Sequence, residues 1–244
     1  MTSGSWGEVF ARGYRAPLAT ISLGVGLYAF NAFVVATALP SAVLDIGGVE
    51  LMNWSVAIFL VLAIVGGSAA ALLKARVGAR AALLAAGLLF FAGTLVAGLA
   101  PSMPVLLVGR GLQGLGEGVI AALSYALIPA FFPPRLVPKV FGVEAVVWAI
   151  AASGGPLAGG LLTEQLSWQW AFLFSAPLAL LFMLLVGLVV RPEATQGRAT
   201  AGGFPGLRLA GIGAGILLVA VAGLLQLAWA LAAVAAAPLL LAAM

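Results

Sequence analysis

Long apolar runs alternate with short polar breaks along this chain. The runs cover residues 17–39, 52–73, 81–100, 104–130, 140–162, 170–190, 208–226 and 228–244. Each is near the ~20 residues that a helix rising 1.5 Å per residue needs to cross ~30 Å of hydrocarbon. The breaks read PSAVLDIGGVE, KARVGAR, PSM, FFPPRLVPK, TEQLSWQ and RPEATQGRATAGGFPG. Residues 1–15 are short and polar. The run from Pro17 to Leu39 exceeds the roughly 7–15 residues of a signal-peptide core and lacks a cleavage site, so it reads as a retained helix. Leu207 to Met244 would form one helix of ~57 Å, too long for a bilayer, and is divided near Gln226–Trp229. It stops inside apolar sequence, as a fragment or an interrupted reading frame would. The Gly-, Ala- and Thr-rich segment 191–207 is the longest connection and the expected boundary between a six-helix unit, 1–190, and two extra helices, 208–244.

Composition agrees with a polytopic membrane protein: of 244 residues, 64% are hydrophobic and 7% charged, where soluble proteins carry about 25% charged residues. The formal charge of +4 does not point to nucleic acid, because the eleven basic residues form no basic face. Arg12, Arg15, Lys74, Arg76, Arg80, Arg135, Lys139, Arg191, Arg198 and Arg208 all fall on one side of the spans. The other side carries Asp45, Glu50 and Glu164. The positive-inside rule makes the basic side, with the N-terminus, cytoplasmic. There is no Cys and no His, which excludes disulfides, thiolate metal sites, haem ligation and Ser–His catalysis. No G-x-x-x-x-G-K-[ST] loop occurs, and no cofactor is implied.

The fourth run, VLLVGRGLQGLGEGVIAALSYAL, departs from simple apolarity. At ~100° per residue, Gln113 and Glu117 fall within about 60° of Arg110, Ser124 joins them, and Gly111, Gly114 and Gly118 form the neighbouring stripe. An Arg or acidic side chain costs roughly 2.5–3.5 kcal/mol at a helix centre in lipid. The polar stripe therefore faces protein or water, and a polar lumen among helices is the expectation over an Arg110 that snorkels from ~9 Å deep. The glycines would let another helix approach closely.

Other spans carry chemistry with two readings each. In the fifth, Glu144, Trp148, Ala151 and Gly155 share a face. Pro156 predicts a kink, with Gly155 and Gly159 as a close helix contact: a gating bend or plain packing. Glu144 lies about 8 Å from the helix start, where a loop cation or the positive helix end could hold it. In the first, Thr20, Gly24 and Asn31 line one face with Tyr28 beside them; Asn31 is ligand contact or helix glue, and it cannot release a proton. The loop KARVGAR is either ordinary cytoplasmic charge or a tight turn at Gly78 whose flanking arginines pair when the inward side shuts. Trp54, Trp168 and Trp170 read as interfacial anchors.

In order along the chain, ATALPSAVLDIGG, KARVGAR, GRGLQGLGEG, GGPLAGG and WQWAFLFSAP together resemble the major facilitator superfamily, specifically its fourteen-span drug:proton antiporter branch. The resemblance implies an all-α polytopic fold, a six-helix N-terminal bundle followed by two additional transmembrane helices, with a further six-helix half absent from the sequence. It implies Arg110 as the proton-coupling arginine, with Gln113 in the same motif, and a bending seam at Gly155, Pro156, Gly159 and Gly160. Arg76, Gly78 and Arg80 would be the cytoplasmic gating loop, although Ala75 and Ala79 stand where the family usually has an acid and an Arg. Asn31 stands where the branch usually has Asp, which leaves Glu117 as the candidate proton carrier. Tyr28, Glu144 and Trp148 complete the candidate proton or substrate cavity. The partners implied are the bilayer, protons, a small amphipathic or cationic substrate, and the missing half or a second copy, in the inner membrane. The alternative from another class is a non-transporting or decayed membrane protein acting as a sensor or assembly partner; an enzyme is disfavoured without His or Cys.

Overall fold

The computed structural model describes residues 4–192 and Gly211. The two extra helices predicted over 208–244, most of the 191–207 linker, Arg198 and Arg208 lie outside the described residues.

In hydrocarbon every backbone N–H and C=O must bond within its own segment, which leaves a helix as the form for these apolar runs. The helices are α1 (Trp6–Val9), α2 (Arg12–Ile46), α3 (Met52–Val77), α4 (Ala79–Gly98), α5 (Met103–Phe131), α6 (Val137–Gln165), α7 (Trp168–Leu173) and α8 (Ser175–Val189), with a 3-10 turn at Val49–Leu51. Counting α7 and α8 as one, six segments among the described residues are long and apolar enough to span a bilayer.

Three boundaries differ from the sequence expectation. α2 continues through Pro40 to Ile46, so most of the supposed loop PSAVLDIGGVE is helix; it ends at Gly47 and Gly48, both at positive φ, where a side chain would be strained. α6 starts at Val137, with Pro138 in its first turn, where a missing N–H costs nothing. Residues 1–15 are not merely polar: α1 is capped by the Ser5 side chain and buries Val9. Its Trp6 stands beside Gly142 and under the Lys139 ammonium, and Glu8 pairs with Arg135. The Arg135 bond holds the Glu8 carboxyl below its usual range.

α5 is the hub. Its most extensive contacts are with α3 and α4, while α2 packs chiefly on α6 and then on α5. The small residues expected to smooth α5 do so on two sides. Gly114 and Gly118 lie against the Phe59 and Ala63 carbonyls of α3; Gly109 and Gly116 lie against Ala97, Ala86 and Phe90 of α4. Gly66 of α3 and Gly93 of α4 return the contact on the α5 backbone. α3, α4 and α5 are thus joined backbone to backbone. α6 buries a single strip, Val140, Glu144, Ala151, Gly155 and Gly159.

Trp168 corrects the interfacial reading. It is buried, its indole N–H donates to Asp45 Oδ2 at 2.9 Å, and it packs edge-on to Phe172. It ties the start of α7 to the far end of α2. Trp170, half exposed, stays compatible with an interface.

Candidate functional site

The polar stripe of α5 points inward, and α2, α3 and α4 complete it. Arg110 is 1% exposed and Gln113 and Glu117 are 0% exposed, so Arg110 does not snorkel. Its Nη1 donates to Gln113 Oε1 at 2.7 Å and to Asn31 Oδ1 at 3.4 Å, and its Nε to the Ser55 carbonyl at 3.4 Å. The guanidinium carbon lies 4.1 Å from the centre of the Phe59 ring, a cation–π contact inside a desolvated site. Gln113 Nε2 donates in turn to Thr94 Oγ1 at 3.0 Å.

Arg110 and Glu117, two turns apart on one helix, are bridged through α2. Asn31 Nδ2 donates to Glu117 Oε2 at 3.0 Å while its Oδ1 accepts from Arg110. A neutral amide can present an acceptor to a cation and a donor to a carboxylate at once, which an ionised carboxylate cannot. The arrangement fixes which way Asn31 faces and ties α2 to α5. The other Glu117 oxygen, Oε1, is buried and has no hydrogen-bond partner, as is Ser55 Oγ. These side chains are enclosed by protein, and a small cavity on the other side of Asn31, between α2, α7 and α8, measures about 10 Å³, room for about one water.

A second group lies toward the basic end, between α2, α5 and α6. Tyr28 stacks on Phe59 at 5.8 Å and meets the Trp148 ring at 5.8 Å. Trp148 Nε1 donates to Tyr125 Oη at 3.1 Å. Glu144, read as a partner for a loop cation or the helix end, instead accepts from Ser22 Oγ at 2.7 Å across the α2–α6 seam. Tyr28 therefore joins two clusters that the sequence placed in one cavity, with Arg110, Gln113, Asn31 and Glu117 on one side and Trp148 and Glu144 on the other.

The remaining expected residues divide. Gly155 approaches Phe33, and Gly159 approaches Thr37 and the Val34 carbonyl of α2, so both build the seam. Gly160 faces away, with nothing within 4 Å of the position its Cβ would take. Pro156 lies inside a helix that runs unbroken from Val137 to Gln165. Gly78, at φ 81°, ends α3 and opens α4 in one step. Arg76 is exposed at that end. Arg80 lines a cleft of about 230 Å³ with Gly78 and Pro192.

Sequence reasoning missed Ser22, Ser55, Phe59, Thr94 and Tyr125. The polar ones carry one available signal, since a hydroxyl inside an apolar run needs a partner. Phe59 carries none, because one Phe among apolar residues looks like any other.

The family model of the major facilitator superfamily matches residues 21–244. A Mycobacterium tuberculosis protein named a "probable multidrug-efflux transporter" is 37% identical over 184 residues, covering 75% of this chain and 39% of that protein. Multidrug resistance protein 3 of Bacillus subtilis is 28% identical over 164 residues, covering 67% of this chain and 32% of that protein. The chain thus spans about two fifths or less of the length of these relatives. Among solved structures, a D-xylose–proton symporter superposes with a TM-score of 0.66 at 18% identity, over 84% of this chain and 56% of that one. A peptide transporter gives the same score at 18% identity, over 84% and 46%. At that identity these two speak to the fold alone. The match over nearly the whole chain shows that this protein belongs to the major facilitator superfamily.

Proposed function

We propose that residues 1–190 are the N-terminal half of a proton-coupled exporter of amphipathic or cationic compounds. In this reading 191–207 is a cytoplasmic linker, 208–244 adds two membrane helices, and a second six-helix half completes the transporter. The N-terminus and the basic loops face the cytoplasm, and the protein lies in the cell's inner membrane. The multidrug names of the two relatives support the substrate class.

The observation that carries the proposal is the enclosed bridge Arg110–Asn31–Glu117. It holds one cation and one acid buried within the bundle and leaves one carboxylate oxygen unpartnered. Isolated charge there is expensive. A proton arriving on Glu117 cancels its charge and weakens its hold on Asn31, which frees α2 to shift against α5. Losing the proton restores the bridge. Transport follows if the two states differ in the side to which the bundle opens.

The test is proton-gradient-driven accumulation of fluorescent cations in everted vesicles carrying the chain in its own reading frame. Arg110→Ala and Glu117→Gln abolish gradient-dependent accumulation while the protein remains in the membrane. Accumulation unchanged in either variant would refute the reading.

A further inference from the structure

We propose that Glu144 is a second proton-binding site, separate from Glu117 and nearer the basic end of the bundle. The inference rests on the proton-coupled reading above and adds a step to it.

Glu144 is 1% exposed. One of its oxygens accepts from Ser22 Oγ at 2.7 Å, and the other, Oε2, is buried without a partner. Among the described residues it makes no ion pair; of the basic residues on the elements beside it, Arg15 donates to the Phe10 carbonyl, Arg135 pairs with Glu8 and Lys139 lies over the Trp6 ring. A buried carboxylate whose sole partner is a neutral hydroxyl carries a large desolvation cost, which a bound proton removes. The helix end does not substitute for a counter-ion, since Glu144 lies seven residues, ~10 Å, inside α6, and the dipole effect fades within the first turn.

The site has a hydroxyl on its outer side and a polar aromatic group on its inner side. Outward, Ser22 is half-buried and its hydroxyl can both give and take a hydrogen bond. Inward, Ser22 and Asn31 are nine residues, ~13.5 Å, apart on the same helix. Between them stand Tyr28 on α2, Trp148 one turn beyond Glu144 on α6, and Tyr125 on α5, whose O–H remains free to donate after accepting from Trp148. Two acids are therefore held at two depths by two positions on one helix.

The site is also placed to open. Glu144 belongs to the narrow strip by which α6 meets α2, so separating the two helices breaks the Ser22 bond and exposes the carboxyl to water. The step is a simple dissociation, carboxylic acid to carboxylate plus a proton delivered to water, with no other bond changed. Protonation favours the closed seam and release favours the open one.

The experiment measures protons moved per ethidium ion in proteoliposomes containing the full-length transporter, by finding the membrane potential and pH gradient at which net flux vanishes. Glu144→Gln lowers the ratio by one proton and flattens one limb of the rate–pH profile; Glu144→Asp restores both. An unchanged ratio and profile in a transporting Glu144→Gln variant overturns the proposal. If that variant does not fold, dye-detected proton release on ethidium binding to the detergent-solubilised protein decides. Ser22→Ala, which leaves the carboxyl in place without its partner, shifts the pH midpoint of release by at least half a pH unit, and no shift overturns the proposal. A Glu117→Gln arm separates the two readings: coupled transport surviving there sinks the exporter mechanism whatever Glu144 does.

Discussion

The two seams of the bundle are built differently. Where α5 meets α3 and α4, glycines on both partners bring main chain against main chain at several points. Where α6 meets α2, the contact is a single strip that leans on Phe33, Thr37 and Ser22 side chains, and the rest of α6 is open. Side chains can change rotamer; carbonyls on a helix cannot step aside without moving the helix. The first seam is thus a fixed wedge, and the second is a surface that can part and close. The Arg110 network belongs mostly to the wedge and reaches α2 through Asn31 and through Tyr28 on Phe59.

One methyl group, added at different points, separates the seams. Gly118→Ala drives its Cβ into the Ala63 carbonyl and costs more than ~3 kcal/mol, beyond ordinary overpacking, since no rotamer relieves it. Loss of monodisperse protein in detergent chromatography checks this, and a normal melting temperature would dissolve the contrast between the seams. Gly159→Ala meets Thr37 Oγ1, which can rotate, as well as the Val34 carbonyl. About 1–3 kcal/mol is expected, with transport rate falling more than thermal stability. Gly160→Ala meets nothing and leaves both unchanged.

The smallest effect lies outside the membrane. Because Arg135 lowers the Glu8 carboxyl, the pair favours the docked α1 above the ordinary carboxylate range. That contribution fades as pH falls through the lowered value. Amide protection factors over residues 4–11, corrected for the intrinsic exchange rate at each pH, fall on acidification toward that range, and Arg135→Gln removes this pH dependence.

Much of the bundle was legible because lipid leaves a chain few options: the six spans, their alternation and the inward stripe of α5 all follow from apolar length and a ~100° turn. Four details were not, and each has a physical reason. Pro40 looked like a stop, yet it lacks only one N–H and α2 runs on through it. α1 is too short for a periodic signal, and what holds it is an ion pair and a ring contact with residues over 120 positions away. Asn31 could be placed at mid-membrane but not between two charges, since the register of α2 against α5 is set by Gly24 packing on Ser124 and Ile120. Gly160 sits beside Gly159 in sequence and ~100° away on the helix, which was enough to take it out of the seam.

Ser22 and Asn31 ride on α2, a rod of 35 residues, ~52 Å by its rise. Pinned by Trp168 at one tip and flanked by the α1 hook at the other, such a rod moves both acids' partners together, like two cams on one shaft. A twist of even half a residue's turn, ~50°, would withdraw the amide from Glu117 and the hydroxyl from Glu144 in the same stroke, so neither could change its bonding without the other being told.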